Sequence, residues 1–209
     1  MRQNTITTLF ANKGSGKTML ATALSLAQPK PIIFVSPILN SIPKHFRDKI
    51  NESELKDDFY NGVSYIYYID DVNELEELIS SVLDLGNVCL CIDEIDFFYK
   101  NILDKDLELY KLVNYGRHKQ IDLIVMARRL QDTPKVIVSQ TDVFYIGRIG
   151  RSFTDFEYIR KTLDKEVAES AQYLDTGSFI RVELGKDRAT LIKLPYELIF
   201  KLQRGMNEY

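Results

Sequence analysis

The sequence predicts an α/β fold: a mostly parallel sheet flanked by helices on both faces. Three observations predict it. Short apolar or β-branched runs alternate along the chain with segments whose apolar residues recur at helical spacing. Two of the runs, residues 32–35 and 88–92, are apolar throughout, as strands buried on both faces are. A glycine-bearing loop, residues 11–16, joins the first strand to the first helix.

The elements follow in order. Residues 5–10 read as a strand and residues 17–27 as a helix, with Leu20, Ala23, Leu24 and Ala27 as its apolar stripe, ended by Pro29 and Pro31. Residues 32–35 form a second strand. Residues 37–61 are polar and mixed in charge, with Pro43 inside them, and read as a partly helical excursion. Residues 63–69 form a third strand. Asp70 or Asp71 caps the next helix, whose stripe is Val72, Leu75, Leu78, Ile79 and Val82 and whose end is Gly86.

Residues 88–92 are a fourth strand, followed by a helix over 105–115 closed by Gly116. Residues 121–127 are a fifth strand, 134–139 a short helical turn and 143–146 a sixth strand. Two helices are marked by Phe153, Phe156, Ile159 and Leu163, then by Val167, Ala171 and Leu174. Residues 178–184 and 189–194 flank the turn Gly185-Lys186-Asp187-Arg188, a C-terminal β-hairpin appendage. The chain, 1–209, reads as one domain with a core over about 5–150 and the C-terminal helices and hairpin over about 151–209.

Composition sets limits. With 209 residues, 45% hydrophobic and 27% charged, the chain can bury a core without disulfide or metal support. Its net charge of −3 excludes a strongly basic surface that coats nucleic acid. Such contact must come from local basic loops or a pore lined by several subunits. Cys89 and Cys91 are two apart in a strand and point to one face, a poor geometry for a disulfide. They read as reduced core thiols in a cytosolic protein. No signal peptide is visible, and no apolar run approaches the roughly 20 residues that span a bilayer.

The loop Ala11-Asn12-Lys13-Gly14-Ser15-Gly16-Lys17-Thr18 carries the chemistry. Its glycines let backbone N–H groups turn inward, and the helix N-terminus adds its dipole, so phosphate oxygens are held there. Lys17 reaches the β- and γ-phosphates, and the Thr18 hydroxyl ligates Mg²⁺. This is a Walker A loop, with Ala11 where the first glycine usually stands.

The fourth strand ends in Asp93-Glu94, a Walker B arrangement. Asp93 is placed to hold Mg²⁺ and Glu94 to orient and activate the attacking water. Asp96 reads as a structural partner of that pair. Two arginine positions stand out. Arg117, ahead of the fifth strand, lies where it reaches a neighbour's nucleotide. Arg128, with Arg129 after it, follows the strand's carboxyl end, where ligands bind in an open α/β sheet. His45 and His118 have no ligand-like neighbours and read as surface residues.

The order of these features resembles the FtsK–HerA superfamily of DNA-pumping ATPases, over roughly residues 5–150. Asn12 to Thr18 resembles its phosphate loop, Asp93-Glu94-Ile95-Asp96 its acidic motif, and Arg117 in Gly116-Arg117-His118 its arginine finger. The family's polar sensor, usually glutamine, falls at Arg128, a departure. Small members are most similar: packaging ATPases of membrane-containing viruses and Zot-like proteins.

The resemblance implies a RecA-like, ASCE-type P-loop NTPase that hydrolyses ATP with Mg²⁺. It implies a homo-oligomer, a hexameric ring with DNA in its pore, with a capsid or membrane portal protein as a further partner. Genome packaging in the host cytoplasm or at a virion vertex is the implied task, with a Zot-like assembly or secretion ATPase as the alternative. A P-loop kinase is the rival outside the family, with Arg148, Arg151 and Arg160 as an arginine lid.

Overall fold

The structure, a computed structural model, describes residues 4–38, 41–47, 51–52, 64–100, 104–150, 152–186 and 189–195. The strands among them are β1 (Ile6–Phe10), β2 (Ile32–Ser36), β3 (Asn51–Glu52), β4 (Tyr65–Tyr68), β5 (Cys89–Ile92), β6 (Asp122–Ala127), β7 (Val143–Ile146), β8 (Ser178–Glu183) and β9 (Thr190–Lys193). The helices are α1 (Lys17–Leu26), α2 (Lys44–Arg47), α3 (Val72–Leu85), α4 (Ile95–Phe98), α5 (Glu108–Tyr115), α6 (Lys135–Gln140), α7 (Phe153–Thr162) and α8 (Lys165–Ala171).

The strands form one sheet in the order β3-β4-β2-β5-β6-β1-β7-β8-β9. The pairings from β3 across to β7 are parallel. The C-terminal hairpin is appended at the β7 edge: β8 runs antiparallel to β7 and β9 antiparallel to β8. β1 therefore lies between β6 and β7, so its carboxyl end opens toward β5 and β6 on one side and β7 and β8 on the other.

Strand alternation divides the core. On β5, Leu90 and Ile92 face the cluster that contains Leu75, Leu78, Ile79 and Val82 of α3 and Leu109, Leu112 and Val113 of α5. Cys89 and Cys91 face the opposite cluster, with Met19, Leu20 and Ala21 of α1. Both thiols are free and buried, as the spacing predicts. Burial pushes the Cys89 thiol up to about 12 and raises Cys91 as well. A third cluster joins Phe144 and Ile146 of β7 to Ile159 of α7 and Val167, Ala168 and Ala171 of α8.

Local sequence explains the element ends. Asp71 caps α3 by accepting from the N–H groups of Asn73 (2.8 Å) and Glu74 (3.2 Å). Gly86, at φ 65°, ends it. Ser152 and Asp164 cap α7 and α8.

Two expectations are corrected. Half of the stripe assigned to α1 faces the core: Leu20 is buried and Leu24 packs against it, but Ala23 and Ala27 are exposed, and Ala21, Thr22 and Ser25 are buried instead. The Thr22 hydroxyl bonds to the Met19 carbonyl (2.9 Å) and that of Ser25 to the Ala21 carbonyl (2.9 Å). Satisfied within the helix, these small side chains are buried at little cost, and apolar periodicity does not register them. Gly116 closes α5 after Tyr115, as expected, though the helix starts at Glu108; it stays right-handed and leads into a 3₁₀ turn, Gly116–Lys119, and the left-handed residue is Gln120. The excursion after β2 also contributes a strand, β3, beside its short helix α2. The Val63 strand position, Arg151 and the turn residues Asp187 and Arg188 lie outside the described residues, as does the side chain of His45.

Candidate active site

β1 delivers the chain to the phosphate loop at the carboxyl edge of the sheet. Gly14 and Gly16 have φ of 76° and 94°, left-handed conformations that a glycine adopts without strain. Gly16 precedes α1 directly, so the helix N-terminus faces the loop. Ser15 is buried and its hydroxyl has no hydrogen-bond partner among the described residues. The Lys17 ammonium is buried and donates to the carbonyls of Ala11 and of Asn12 (3.3 Å) in its own loop. Burial lowers its pKa, while Asp93, Glu94 and Asp96 oppose that shift, so the cation and all three carboxylates share one neighbourhood.

Ala11 is accommodated by Gly147, just past the end of β7. A Cβ on Gly147 would stand 2.7 Å from the Ala11 Cβ and 2.9 Å from the Phe179 ring. The methyl that departs from the usual motif thus occupies the space that a glycine opposite leaves free. The next residues brace the loop from the same side. The Asn12 N–H donates to the Arg148 carbonyl (2.9 Å), and the Gly177 N–H donates to the Ser15 carbonyl (3.0 Å).

Asp93 directly follows β5, is 3% exposed and donates its N–H to the Val35 carbonyl (2.8 Å). Burial and then the neighbouring Glu94 push its carboxyl up to about 6, against the Lys17 charge and a hydrogen bond from Ser36. Ser36 was not foreseen. It is the polar residue that ends β2, and that position is the one signal for it.

Glu94 follows in the left-handed region at φ 51°, an unusual conformation for a residue with a side chain. It turns the chain sharply from β5 into α4. Arg128, beyond β6, closes on Glu94 as a fork: Nε donates to Oε1 at 2.9 Å and Nη2 to Oε2. The Arg128 N–H lies 3.4 Å from both Asp96 carboxylate oxygens. Arg129 turns the other way, to Thr154 (3.0 Å), Asp132 and Asp155. Of the two arginines, Arg128 is the one at the acidic pair.

Arg117 lies at the opposite edge of the sheet, in the turn that precedes β6, away from its own phosphate loop. Its guanidinium pairs with Asp142 (2.7 Å), whose carboxylate also accepts the Ile6 N–H (2.8 Å). The structure thus gathers Asn12 to Thr18, Asp93, Glu94 and Arg128, and keeps Arg117 apart. His118 is exposed.

A cation fits this site. The Thr18 side chain, at the start of α1, is half-buried, and the nearly buried Asp93 forms no ion pair within 4 Å among the described residues. No cluster of three His, Cys, Asp or Glu side chains suited to a metal occurs among the described residues. Mg²⁺ needs none, because one or two protein oxygens, waters and substrate phosphates hold it.

No family model matches the sequence, and no curated protein resembles it by sequence. Solved structures do match its fold. The genome packaging NTPase B204 from Sulfolobus turreted icosahedral virus 2, in complex with AMPPCP, is 18% identical, with a TM-score of 0.80 over 93% of this chain and 99% of that one. VirB4 of Thermoanaerobacter pseudethanolicus is 11% identical, with a TM-score of 0.68 over 95% of this chain and 92% of that one. The N-terminal domain of zonular occludens toxin from Neisseria meningitidis is 13% identical, with a TM-score of 0.54 over 94% of this chain and 97% of that one. The chain thus has the RecA-like P-loop NTPase fold that B204, VirB4 and zonular occludens toxin share.

Proposed function

We propose that the chain is an ATP-hydrolysing motor that translocates DNA, and specifically a viral genome-packaging ATPase. The observation that carries the hydrolytic part is the meeting of Lys17, Asp93 and Glu94 at one glycine loop and helix N-terminus. The packaging part is supported by the likeness to the packaging NTPase B204 over nearly the full length of both chains.

The roles follow from charge and position. Loop N–H groups from Lys13 to Thr18 cradle the phosphates, while Asn12 is held by its own N–H to Arg148 and Lys13 is exposed at the rim. Lys17 exchanges the carbonyls of Ala11 and Asn12 for β- and γ-phosphate oxygens. Thr18 and Asp93 hold Mg²⁺, which supplies neutralising charge to those oxygens. Glu94 takes the proton of the attacking water. To do so it must be released by Arg128. A γ-phosphate, with more charge and more acceptor oxygens than one carboxylate, draws the guanidinium away. The same contact reports the γ-phosphate, the role proposed for Arg128. Arg117 serves a neighbour's site in trans within a homo-oligomeric ring, proposed as a hexamer with DNA in its pore.

The kinase reading is weakened by the lid. Arg160 pairs with Glu157 three residues earlier (2.8 Å), and a kinase has no need of a water-activating carboxylate. No described helix is long and apolar enough to cross a membrane. A capsid or membrane portal protein, and a place in the host cytoplasm or at a virion vertex, belong to the packaging reading.

The test is ATP hydrolysis as duplex and single-stranded DNA are added, with displacement of a DNA-bound roadblock followed in parallel. The reading expects a DNA-stimulated rate and ATP-dependent displacement. A rate indifferent to every nucleic acid, without displacement, overturns translocation and leaves hydrolysis standing.

A further inference from the structure

We propose that the base of the bound nucleotide sits in the cleft between α7 and the turn after α8, stacked on Tyr173. The inference rests on the phosphate-loop reading above and extends it to the other end of the nucleotide.

Sheet order gives the direction. Asp93 and Glu94 follow β5, and Arg128 follows β6, so the acidic pair lies on the β5–β6 side of β1. A triphosphate whose γ-phosphate faces Glu94 runs its α-phosphate, ribose and base toward the other side, that of β7 and β8. That side is built against the loop. Besides the bonds from Arg148 and Gly177 to the loop, the Ile149 N–H donates to the Ala171 carbonyl (3.1 Å). The end of α8 is thereby fixed one residue from the loop's own brace.

Beside these ties opens a cleft of about 540 Å³, lined by Phe153, Phe156, Glu169, Gln172 and Tyr173. Its volume falls within the range of small-ligand sites. Phe153 is 74% exposed and Tyr173 is 83% exposed, so neither ring's position is accounted for by the core. Aromatic faces standing in water are the platforms on which bases stack. The polar groups suit a purine that carries an amino group. The Gln172 amide offers a donor and an acceptor to an adenine edge, and the Glu169 carboxylate accepts from an exocyclic amine. Guanine, with its N1–H and exocyclic amine, offers donors to the same carboxylate. The cleft therefore suits a purine base, and ATP and GTP are compared in the test.

The chain contains no tryptophan, so a Tyr173→Trp variant carries a single indole reporter. ATP, GTP and inorganic tripolyphosphate are titrated against it, and their affinities are measured on wild type, Tyr173→Ala and Tyr173→Phe. We expect ATP to change the indole emission and tripolyphosphate to leave it unchanged while competing with ATP. Tyr173→Ala should weaken ATP about tenfold and leave tripolyphosphate affinity as it was, with Tyr173→Phe close to wild type. Unchanged ATP affinity in Tyr173→Ala places the base elsewhere and overturns the proposal. So does an equal loss for ATP and tripolyphosphate, or a loss of oligomer alone, which would assign the rings to a neighbouring subunit. A wild-type protein that binds no tripolyphosphate removes the phosphate-loop reading itself, and the base site with it.

Discussion

Arg128 holds Glu94 by both carboxylate oxygens, through Nε at 2.9 Å and through Nη2. A carboxylate so engaged is not free to take a proton from water. The Arg128 side chain is 50% exposed and that of Glu94 16%, so solvent screens the pair and its net contribution is small. A double-mutant cycle of Arg128→Ala and Glu94→Gln on nucleotide-free stability should give a coupling of about 0.5–1 kcal/mol. With saturating Mg²⁺ and a non-hydrolysable ATP analogue the coupling should fall toward zero. A coupling that nucleotide leaves unchanged would show that the fork is structural.

Asp93 gives a pH signature. Its carboxyl is raised in the folded protein to about 6. The neutral form is thus favoured by folding, and that contribution is complete below the unfolded value near 3.9 and lost as pH rises through about 6. Asp93→Asn removes the ionisation. The variant should match wild type near pH 4 and exceed its nucleotide-free stability by roughly 1–3 kcal/mol at pH 8. Denaturant melts at the two pH values read the difference directly. The same variant should lose Mg²⁺-dependent turnover.

Gly147 and Ala11 make a reciprocal pair. Gly147→Ala puts a methyl 2.7 Å from the Ala11 Cβ and 2.9 Å from Phe179, and should cost about 1–3 kcal/mol by overpacking. Adding Ala11→Gly should recover part of that loss, since one of the two clashes is removed. Stability measured on the single and double variants checks it; strictly additive losses would show that the two sites are independent.

The phosphate loop and the acidic strand were legible because each is a local pattern: glycines before a Lys-Thr pair, and an apolar run ending in carboxylates. The stripe of α3 was legible because Leu75, Leu78, Ile79 and Val82 are large and periodic. What was not legible is long-range. The pairs of Arg128 with Glu94 and Arg117 with Asp142 join residues 34 and 25 positions apart and leave no periodic trace. The same is true of Arg148 and Gly177 bracing the loop, since their bonds are made by backbone atoms that any sequence has. On α1, Leu20 was legible, but Ala21, Thr22 and Ser25 were missed because they are small or polar.

Arg117 should act in trans. It stands apart from its own loop and is half-exposed, and in a ring its Asp142 partner gives it up to a neighbour's γ-phosphate. Arg117→Ala and Lys17→Ala subunits, each inactive alone, should regain part of the ATPase rate when mixed in one ring. Some interfaces then pair an intact Lys17 site with an intact Arg117. Rate against mixing ratio reads this. No recovery in rings shown to be mixed, or full activity in a monomer, would remove the finger.

The central claim is that ATP is hydrolysed by water that Glu94 activates at the Lys17 loop. The most direct measurement is phosphate release by wild type and Glu94→Gln at saturating Mg²⁺ and ATP, with ATP affinity determined on both. Glu94→Gln should lower kcat by about 100-fold or more, with affinity within a few-fold of wild type. Equal turnover in the two proteins, or a parallel loss of binding and turnover, would contradict it.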